Sequence, residues 1–340
     1  MKKLIMDQDS INRLKKVDDI TKLIEFIQPF YPDFSVNEHT IEKIEENLFN
    51  SYINIVGQII VYSPDTMRLL LQKYLLKFEI RNIKQAIIDT ILGTPLKQKR
   101  RNINFKVEEL LDKEEFISEL VEISSLDEVQ LFMKDTQYNK AIREGILYFR
   151  KNNEIFVLEA FLDKIYYNNL ANLDIDLNNK EKKLIKPYIS LTVEIYNMIT
   201  LYRGIINEIE KELLKQFIVD HYLFLNNDIL QTLLNKTSKD GFLAELKNNV
   251  ITEIEQLERL WKIEEQNFED YIESLYYSYY FNKFKFVEID DIDLLTILRI
   301  IEVLLKKERE IRNCILPKVV KIIHEKYYAL KDQVSNEELR

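Results

Sequence analysis

The chain has 340 residues, of which 46% are hydrophobic and 31% are charged, and its formal net charge at pH 7 is −9. This apolar content can build a sizeable core, which argues against an intrinsically disordered chain. The acidic balance disfavours a nucleic-acid-binding protein, because such proteins present a basic face to the phosphates. Only 5 glycines and 6 prolines are present, and sheets need these residues at their turns, so the composition predicts an all-α fold.

Capping signals predict where several helices begin. In a capping box a serine or asparagine precedes an acid by three residues, and each side chain bonds the other residue's backbone N–H. This spacing predicts helix starts at Ser35, Ser125 and Asn178. Ser63 followed by Pro64 predicts a further start, because a proline loses no hydrogen bond at the first helical position.

Glycine and proline signals predict where helices end. Gly93, Thr94 and Pro95 together predict the end of one long helix, and Gly204 predicts an end or a bend in another. Residues 97–104 contain four basic side chains and are predicted to form a solvated linker, with a phosphate-binding patch as the less favoured interpretation. Residues 235–241 are predicted to form a loop.

A four-residue motif, Glu-Ile-x-Asn, occurs three times at nearly equal spacing. Its copies begin at Glu79, Glu194 and Glu310, which are 115 and 116 residues apart. A long internal period is the signature of a repeat architecture. The six repeated polar residues are Glu79, Asn82, Glu194, Asn197, Glu310 and Asn313.

An apolar or aromatic pair precedes each copy of the motif, and an acid lies four residues before the second member of the pair. The three pairs are Leu48-Phe49, Tyr166-Tyr167 and Tyr276-Tyr277, and the acids are Glu45, Asp163 and Glu273. We therefore predict three related helical modules, with boundaries at 1–105, 106–218 and 219–340. Three such modules can close around a common axis.

Glutamate and asparagine three residues apart share one face of a helix. Asparagine in a helix interior is disfavoured by up to ~0.7 kcal/mol against alanine, which suggests that the side chain has a role. Two roles are open: a buried hydrogen bond that fixes neighbouring helices, which we favour, or a ring of polar groups around a cavity. Asn82 continues an apolar stripe through Leu75 and Phe78, which predicts burial, whereas Asn313 lines up with Arg309, which predicts exposure.

The residues show no signature of a catalytic, cofactor-binding or metal-binding site. The glycines are isolated, which excludes a phosphate-binding loop, and the 3 histidines lack metal-ligand spacing. Cys314 is the one cysteine, so no internal disulfide can form, and a buried apolar role is expected for it. The acids Asp290, Asp291 and Asp293 are one residue short of the Asp-Asp-x-x-Asp magnesium pattern, and a cap on the following helix explains them better.

No stretch approaches the ~20 apolar residues that a membrane-spanning helix needs. The first residues also lack the features of a signal peptide, since their apolar run is short. We therefore expect any association with a membrane to go through a partner protein.

Several segments together carry a resemblance to a known family. They are residues 74–84, 125–138, 162–167, 194–203 and 307–313. With these segments in this order, the chain resembles the funnel-shaped central-stalk component of archaeal and vacuolar-type rotary ATPases. This component is known as the C subunit in archaeal and bacterial complexes and as the d subunit in vacuolar ones.

The resemblance implies three helical bundles with pseudo-threefold symmetry around a central pocket. It implies that the wide end of this funnel receives the central axle and that the narrow end docks on the membrane rotor ring of proteolipid subunits. The chain would then transmit torque for ATP-coupled proton or sodium transport from the cytoplasmic face of a membrane, without cofactor, nucleic acid or catalysis of its own. An all-α scaffold or adaptor unrelated to rotary ATPases is the alternative.

The chain departs from the family pattern at a few positions. The family often has an arginine six residues after the motif asparagine, and Arg203 occupies this place in the second copy, whereas Ile88 and Val319 occupy it in the others. Pro317 interrupts the third copy, where the family usually continues its helix. We therefore expect unusual local geometry in the third module.

Overall fold

The computed structural model describes residues 4–251, 268–285 and 292–337, and its regular elements within these ranges are all helical. The first seven helices are α1 (Gln8–Leu14), α2 (Ile20–Ile27), α3 (Ile41–Tyr62), α4 (Asp65–Ile91), α5 (Leu96–Asn102), α6 (Phe105–Leu110) and α7 (Glu114–Glu122). The next seven are α8 (Leu126–Phe132), α9 (Asn139–Asn152), α10 (Phe156–Ala171), α11 (Asn179–Ile206), α12 (Lys211–Phe217), α13 (Asn227–Leu234) and α14 (Lys239–Leu246). The last are α15 (Phe268–Lys285), α16 (Ile292–Arg309) and α17 (Leu316–Glu337).

Two π-helical segments supplement these α-helices. They are Lys247–Ile251, directly after α14, and Glu310–Ile315, between α16 and α17. The predicted all-α fold is confirmed, since the described residues contain no strand. Within the same residues, no helix combines the length and the apolar character that crossing a bilayer requires.

The chain divides into two compact units. Unit 1 comprises Met1–Arg68, Asn104–Asp112 and Leu295–Arg340, and unit 2 comprises Leu69–Ile103 and Lys113–Leu294. The three modules with boundaries near 105 and 218 stay a prediction, as does their threefold arrangement.

The core of unit 1 forms around α3. This helix contacts α6, α17 and the π-helical segment Glu310–Ile315. Its buried side chains recur at helical spacing and include Ile44, Leu48 and Tyr52. A Cβ at Gly57 would lie 3.0 Å from Leu110 Cδ2, so this glycine lets α6 pack closely against α3.

The core of unit 2 forms around α11, which has 28 residues and contacts α10, α12, α14 and α15. Because α11 is covered on several sides, its buried residues do not follow a single stripe. They include Leu184, Tyr188 and Leu191 on successive turns, together with Val193 and Ile195. A further part of unit 2 is the hairpin of α9 and α10, whose short connection passes through Asn153 at a φ of 54°.

Three of the four predicted helix starts are confirmed, and the one at Ser35 is wrong. Ser125 caps α8, and Asn178 forms a complete capping box at the start of α11. No helix begins after Ser35; α3 begins later, where Thr40 Oγ1 accepts from the N–H of Lys43 at 3.3 Å. The helix α4 begins at Asp65, directly after Ser63 and Pro64 as predicted, and the Ser63 hydroxyl donates back to a carbonyl oxygen in the last turn of α3 at 2.7 Å.

The predicted linker at residues 97–104 is mostly the helix α5, so that prediction is wrong. The reason is Lys99, whose ammonium group is buried and donates to Thr90 Oγ1 at 2.8 Å and to the carbonyl oxygen of Ile123 at 2.7 Å. These bonds hold α5 against the rest of unit 2. The predicted end of α4 is confirmed, since the helix ends at Ile91 and Gly93 has a φ of 65°. The loop between α13 and α14 runs over residues 235–238, within the predicted range.

Close packing of α9 on α10 depends on Gly145. A Cβ at this position would lie 2.4 Å from Leu158 Cδ1 and 2.7 Å from Leu158 Cα, so backbone would have to move. We expect Gly145→Ala to destabilise unit 2 by about 1–3 kcal/mol, although alanine favours helix. Urea unfolding measures the change. The control is Lys140→Ala, at an exposed position of α9, whose free energy of unfolding should stay within about 0.5 kcal/mol of the parent. Equal stability of the two variants would contradict the packing argument.

Candidate functional site

The three motif glutamates are buried on long helical segments. Glu79 on α4 is 1% exposed, Glu194 on α11 is 0% exposed, and Glu310 at the start of the π-helical segment is 5% exposed. A carboxylate in such a place must receive hydrogen bonds or a cation, because an unpaired buried charge is strongly destabilising. In all three copies at least one partner comes from a distant segment of the chain.

In the second copy the glutamate holds a backbone segment against α11. Glu194 Oε2 accepts from the N–H groups of Leu223, Phe224 and Leu225 at 2.5, 2.8 and 3.0 Å. Its other oxygen, Oε1, accepts from the hydroxyl of Tyr276 at 2.6 Å. Successive amides that converge on one oxygen form a backbone anion nest. Here the anion is a side chain of the same protein.

The asparagine of the second copy lies one turn after Glu194 on α11 and binds the same backbone segment. Asn197 Nδ2 donates to the carbonyl oxygen of Val219 at 2.9 Å, and Asn197 Oδ1 accepts from the N–H of Val219 at 2.9 Å. The side chain thus satisfies both backbone groups of a buried residue, which secondary structure would otherwise have to satisfy. This contact matches the first of the two roles considered for the motif asparagines, a buried hydrogen bond.

A third polar side chain on this face of α11 completes the contact. Ser190 Oγ lies 2.9 Å from His221 Nε2. Ser190, Glu194 and Asn197 are spaced by four and three residues, so they share one helix face. We call residues 219–225, which this face binds, the clamped segment.

In the first copy the partner of the glutamate is a lysine. Lys113 Nζ donates to Glu79 Oε1 at 2.7 Å and to Oε2 at 2.9 Å. Asn82 is buried at 4% exposure, as its place in the apolar stripe predicted. Two residues further along α4, Lys84 Nζ donates to the carboxylate of Asp163 on α10 at 2.9 and 3.0 Å.

In the third copy the glutamate binds residues from the first part of the sequence. Glu310 Oε1 accepts from the N–H of Met6 at 2.7 Å, and Oε2 accepts from Lys307 Nζ at 3.1 Å. The Lys307 ammonium group also donates to the carbonyl oxygen of Leu4 and lies 3.6 Å from the centre of the Tyr31 ring. A cation above an aromatic face is stabilised by the ring quadrupole. The side chain of Lys307 is completely buried.

The partners of the three glutamates follow one rule. Lys113 and the clamped segment lie shortly after the predicted module boundaries at 105 and 218, and Met6 lies early in the first predicted module. Each motif glutamate therefore binds the opening segment of the next predicted module, and the third copy binds that of the first.

The helices that carry the apolar or aromatic pairs make contacts in the same order: each contacts the motif copy of the preceding predicted module, and the first contacts the third copy. The first such helix, α3, contacts the π-helical segment of the third copy. The second, α10, is tied to the motif helix of the first copy by Lys84 and Asp163. The third, α15, contacts α11, where Arg203 forms a bidentate ion pair with Glu269 at 2.6 and 2.7 Å. Arg203 thus joins two helices of unit 2.

Burial governs the electrostatics of these contacts. It raises the pKa of the Glu194 carboxyl, while the bonds from Tyr276 and the clamped segment oppose that rise by favouring the ionised form. Burial likewise raises the pKa of Glu310, against the opposing effect of Lys307. The pKa of Lys307 is lowered by burial to about 8, and Glu310 opposes this change. Burial also raises the pKa of Tyr31, and the nearby Glu310 carboxylate adds to this rise.

Pro317 explains the π-helical geometry of the third copy. The N–H of Leu316 donates to the carbonyl oxygen of Ile311, five residues earlier. A proline inside a regular α-helix would lack one hydrogen bond and would clash with the carbonyl group four residues before it. The wider π-helical turn before Pro317 relieves this clash, and α17 continues beyond it. The expected local departure in the third copy is thus present.

The remaining sequence candidates have no convergent geometry. Asn313 is half-buried, between the exposure that we predicted and the burial of the other two asparagines. Cys314 is half-buried too, and burial raises the pKa of its thiol. Asp290 and Asp291 lie outside the described residues, and Asp293 lies in the first turn of α16. Within the described ranges, no group of acids, histidines and cysteines has the arrangement of a metal site.

Sequence reasoning missed several residues that complete these contacts. Lys307 could have been found, because it lies three residues before Glu310 on the same helical face. Met6, Tyr31 and the clamped segment gave no local signal, since their partners are distant in sequence.

Comparisons with known proteins identify relatives of the chain. The family model described as ATP synthase (C/AC39) subunit matches residues 1–325. The C subunit of the A-type ATP synthase of Methanocaldococcus jannaschii is 22% identical over 263 residues, which cover 74% of this chain and 63% of the relative. The protein of the same name from Methanosphaera stadtmanae is 20% identical, covering 72% of this chain and 62% of the relative. That of Methanosarcina acetivorans is 26% identical, covering 59% of this chain and 51% of the relative. The chain thus spans less than two thirds of the length of these relatives.

Glu194 should contribute strongly to the stability of unit 2. We expect Glu194→Ala to lower the free energy of unfolding by roughly 3–5 kcal/mol, because three backbone N–H groups and one hydroxyl lose a buried acceptor. Tyr276→Phe removes only one of these bonds and should cost about 1.5–3 kcal/mol. Urea unfolding of the parent and the two variants gives both values.

The matched control for Glu194→Ala is Glu119→Ala, at an exposed position of α7 in the same unit. It should change the free energy of unfolding by less than about 0.5 kcal/mol. If Glu194→Ala were as mild as this control, the anion nest would not stabilise the fold.

Lys307 should make the stability of unit 1 depend on pH. Its pKa is about 8 in the folded chain and 10.5 as the ordinary value. Between these pH values the unfolded chain binds more protons, so the free energy of unfolding rises with pH, by roughly 3 kcal/mol across the window. Lys307→Met removes the titrating group, so its unfolding curve should lack this rise.

Measurements from pH 7.5 to about 10 test this prediction, since the ordinary tyrosine pKa is near 10. Above that limit Tyr31 acts in the opposite direction, because its raised pKa makes the unfolded chain lose the proton first. If the free energy of unfolding changed with pH in the same way for the parent and Lys307→Met, burial would not lower the pKa of this lysine.

Proposed function

The chain belongs to the ATP synthase (C/AC39) subunit family, and on this basis we propose that it links the rotating axle of an A-type or V-type ATPase to the rotor ring in the membrane. The observation that carries the proposal is the family match across residues 1–325. The relatives reported above are named as C subunits of A-type ATP synthases, and the proposal extends that role to this chain. In this role the chain catalyses nothing and needs no cofactor.

A protein that transmits torque must resist twisting between its two contacts. Two features of the chain support such stiffness. The helices α4 and α11 have 27 and 28 residues, so each is ~40 Å long. Buried carboxylates then tie segments that are far apart in sequence, as Glu194 does with the clamped segment and Tyr276. These ties keep neighbouring helices in fixed register.

A socket for an axle also calls for modules around a central pocket, and we include this arrangement in the proposal. It is supported by the order of the glutamate contacts. Each motif copy binds the opening segment of the next predicted module, and the third returns to the first. A closed ring of three modules requires contacts in this order.

We further place the chain on the cytoplasmic face of a membrane, held there by its partners. The expected partners are the axle subunits at one end and the proteolipid ring at the other. A scaffold or adaptor role outside rotary ATPases is the alternative, and it predicts a different set of partners.

Affinity purification from mildly solubilised native membranes tests the proposal. A tagged copy of the chain should recover the nucleotide-binding ATPase subunits, the axle subunits and a small proteolipid ring protein, because the proposed role places it between axle and ring. Mass spectrometry identifies the recovered proteins. The control is the same tag on an unrelated helical protein from the same cells.

Two outcomes would contradict the proposal at different levels. If neither ATPase subunits nor the ring protein are recovered from membranes that hold intact rotary ATPase, the scaffold alternative is favoured. If they are recovered, but removal of the chain leaves ATP-driven ion transport by membrane vesicles unchanged, the torque-transmitting role is wrong.

A further inference from the structure

The turn between α4 and α5 presents apolar and basic side chains to solvent. Leu92 is 72% exposed and Leu96 is 46% exposed. Lys97 and Arg101 are exposed beside them. Neither of these two cations has an ion-pair partner in the part of the chain that the structure describes. We call residues 92–101 the basic corner.

The basic corner is held in a defined conformation. Gly93 has a φ of 65° and a Cβ there would meet no atom within 4 Å, so the turn is tight and its outer side is open. Lys99 points inward and is bonded to Thr90 and Ile123. Arg100 is paired with Glu122 at 2.6 Å. Lys97 and Arg101 are four residues apart on α5 and share the face away from Lys99, while Leu96 borders a cavity that Thr90, Lys99 and Ile123 also line.

The charge of the corner is opposite to that of the chain as a whole. Residues 92–101 contain four basic side chains and no acid, whereas the net charge of the chain is −9. Because Lys99 is buried and Arg100 is paired with Glu122, Lys97 and Arg101 carry the exposed positive charge. A solvated turn needs neither exposed leucines nor a local excess of cations. Such a combination is suited to an anionic surface into which short apolar side chains can insert.

We propose that the basic corner contacts the anionic phospholipid surface of the membrane, with Leu92 and Leu96 at the headgroup boundary and Lys97 and Arg101 beside the phosphates. Each basic side chain near such a surface tightens binding by about fivefold. Two leucines and two cations therefore give a weak contact by themselves. The inference rests on the proposed function, since a chain already held at a membrane by the rotor ring needs only a weak contact to be oriented.

Vesicle flotation with the purified full chain at low salt tests this proposal. The probes are vesicles of phosphatidylcholine alone and vesicles of equal parts phosphatidylcholine and phosphatidylglycerol. We expect the chain to float with the anionic vesicles only. The double variant Lys97→Glu/Arg101→Glu should weaken this binding by at least about tenfold, and Leu92→Ala/Leu96→Ala should weaken it at unchanged charge.

The charge-matched control is Lys134→Glu/Lys151→Glu, which changes two exposed lysines elsewhere in unit 2. It should bind anionic vesicles at least about five times more tightly than the corner charge variant. Equal binding to neutral and anionic vesicles, or equal losses in the two charge variants, would overturn the proposal.

The outcome is separable from that of the proposed function, because the vesicles contain no ATPase subunits. Flotation could depend on the basic corner while affinity purification recovers no ATPase subunits. This result would support the lipid contact and contradict the proposed rotor role. The Lys97→Glu/Arg101→Glu variant could instead bind vesicles as the parent does but recover no ATPase subunits in affinity purification. In that case the basic corner binds an acidic protein surface and the lipid proposal is wrong.

Discussion

Three carboxylates buried inside a helical core are the constraint on which the rest of this structure depends. Leaving any of them unpaired would cost several kcal/mol, so each must draw donors from elsewhere in the chain. Because at least one donor to each carboxylate lies in a distant segment, satisfying the carboxylate and docking that segment are the same event. Glu310 shows this most directly, since its bond to the N–H of Met6 joins residues 304 positions apart.

The three copies share the acid and differ in the donor. Glu79 receives a lysine ammonium group, Glu194 receives three backbone amides and a phenol, and Glu310 receives one amide and a lysine. What is common is therefore a buried negative charge at one position of a helix, with the partner chemistry set by the segment that arrives there. This explains why a sequence motif can repeat while its surroundings do not.

The sequence was sufficient to predict the properties that depend on local spacing. The helical content, the cap at Ser125, the capping box at Asn178 and the burial of Asn82 all follow from residues within one or two turns. The failure at residues 97–104 has a tertiary cause. Lys99 donates to buried acceptors on other elements, and a run of basic residues does not reveal this in advance.

Apart from Lys307, the partners of the glutamates could not be predicted, because they depend on which distant segment is brought to each helix. Their geometry also bears on the proposed role. Glu194 is bound from two sides, by the clamped segment and by Tyr276 on α15, and at 0% exposure no water is available to replace a lost donor. A displacement of either element relative to α11 therefore weakens a bond that nothing else restores. Resistance of this kind, built from internal contacts and independent of any bound ligand, is what a protein under torque requires.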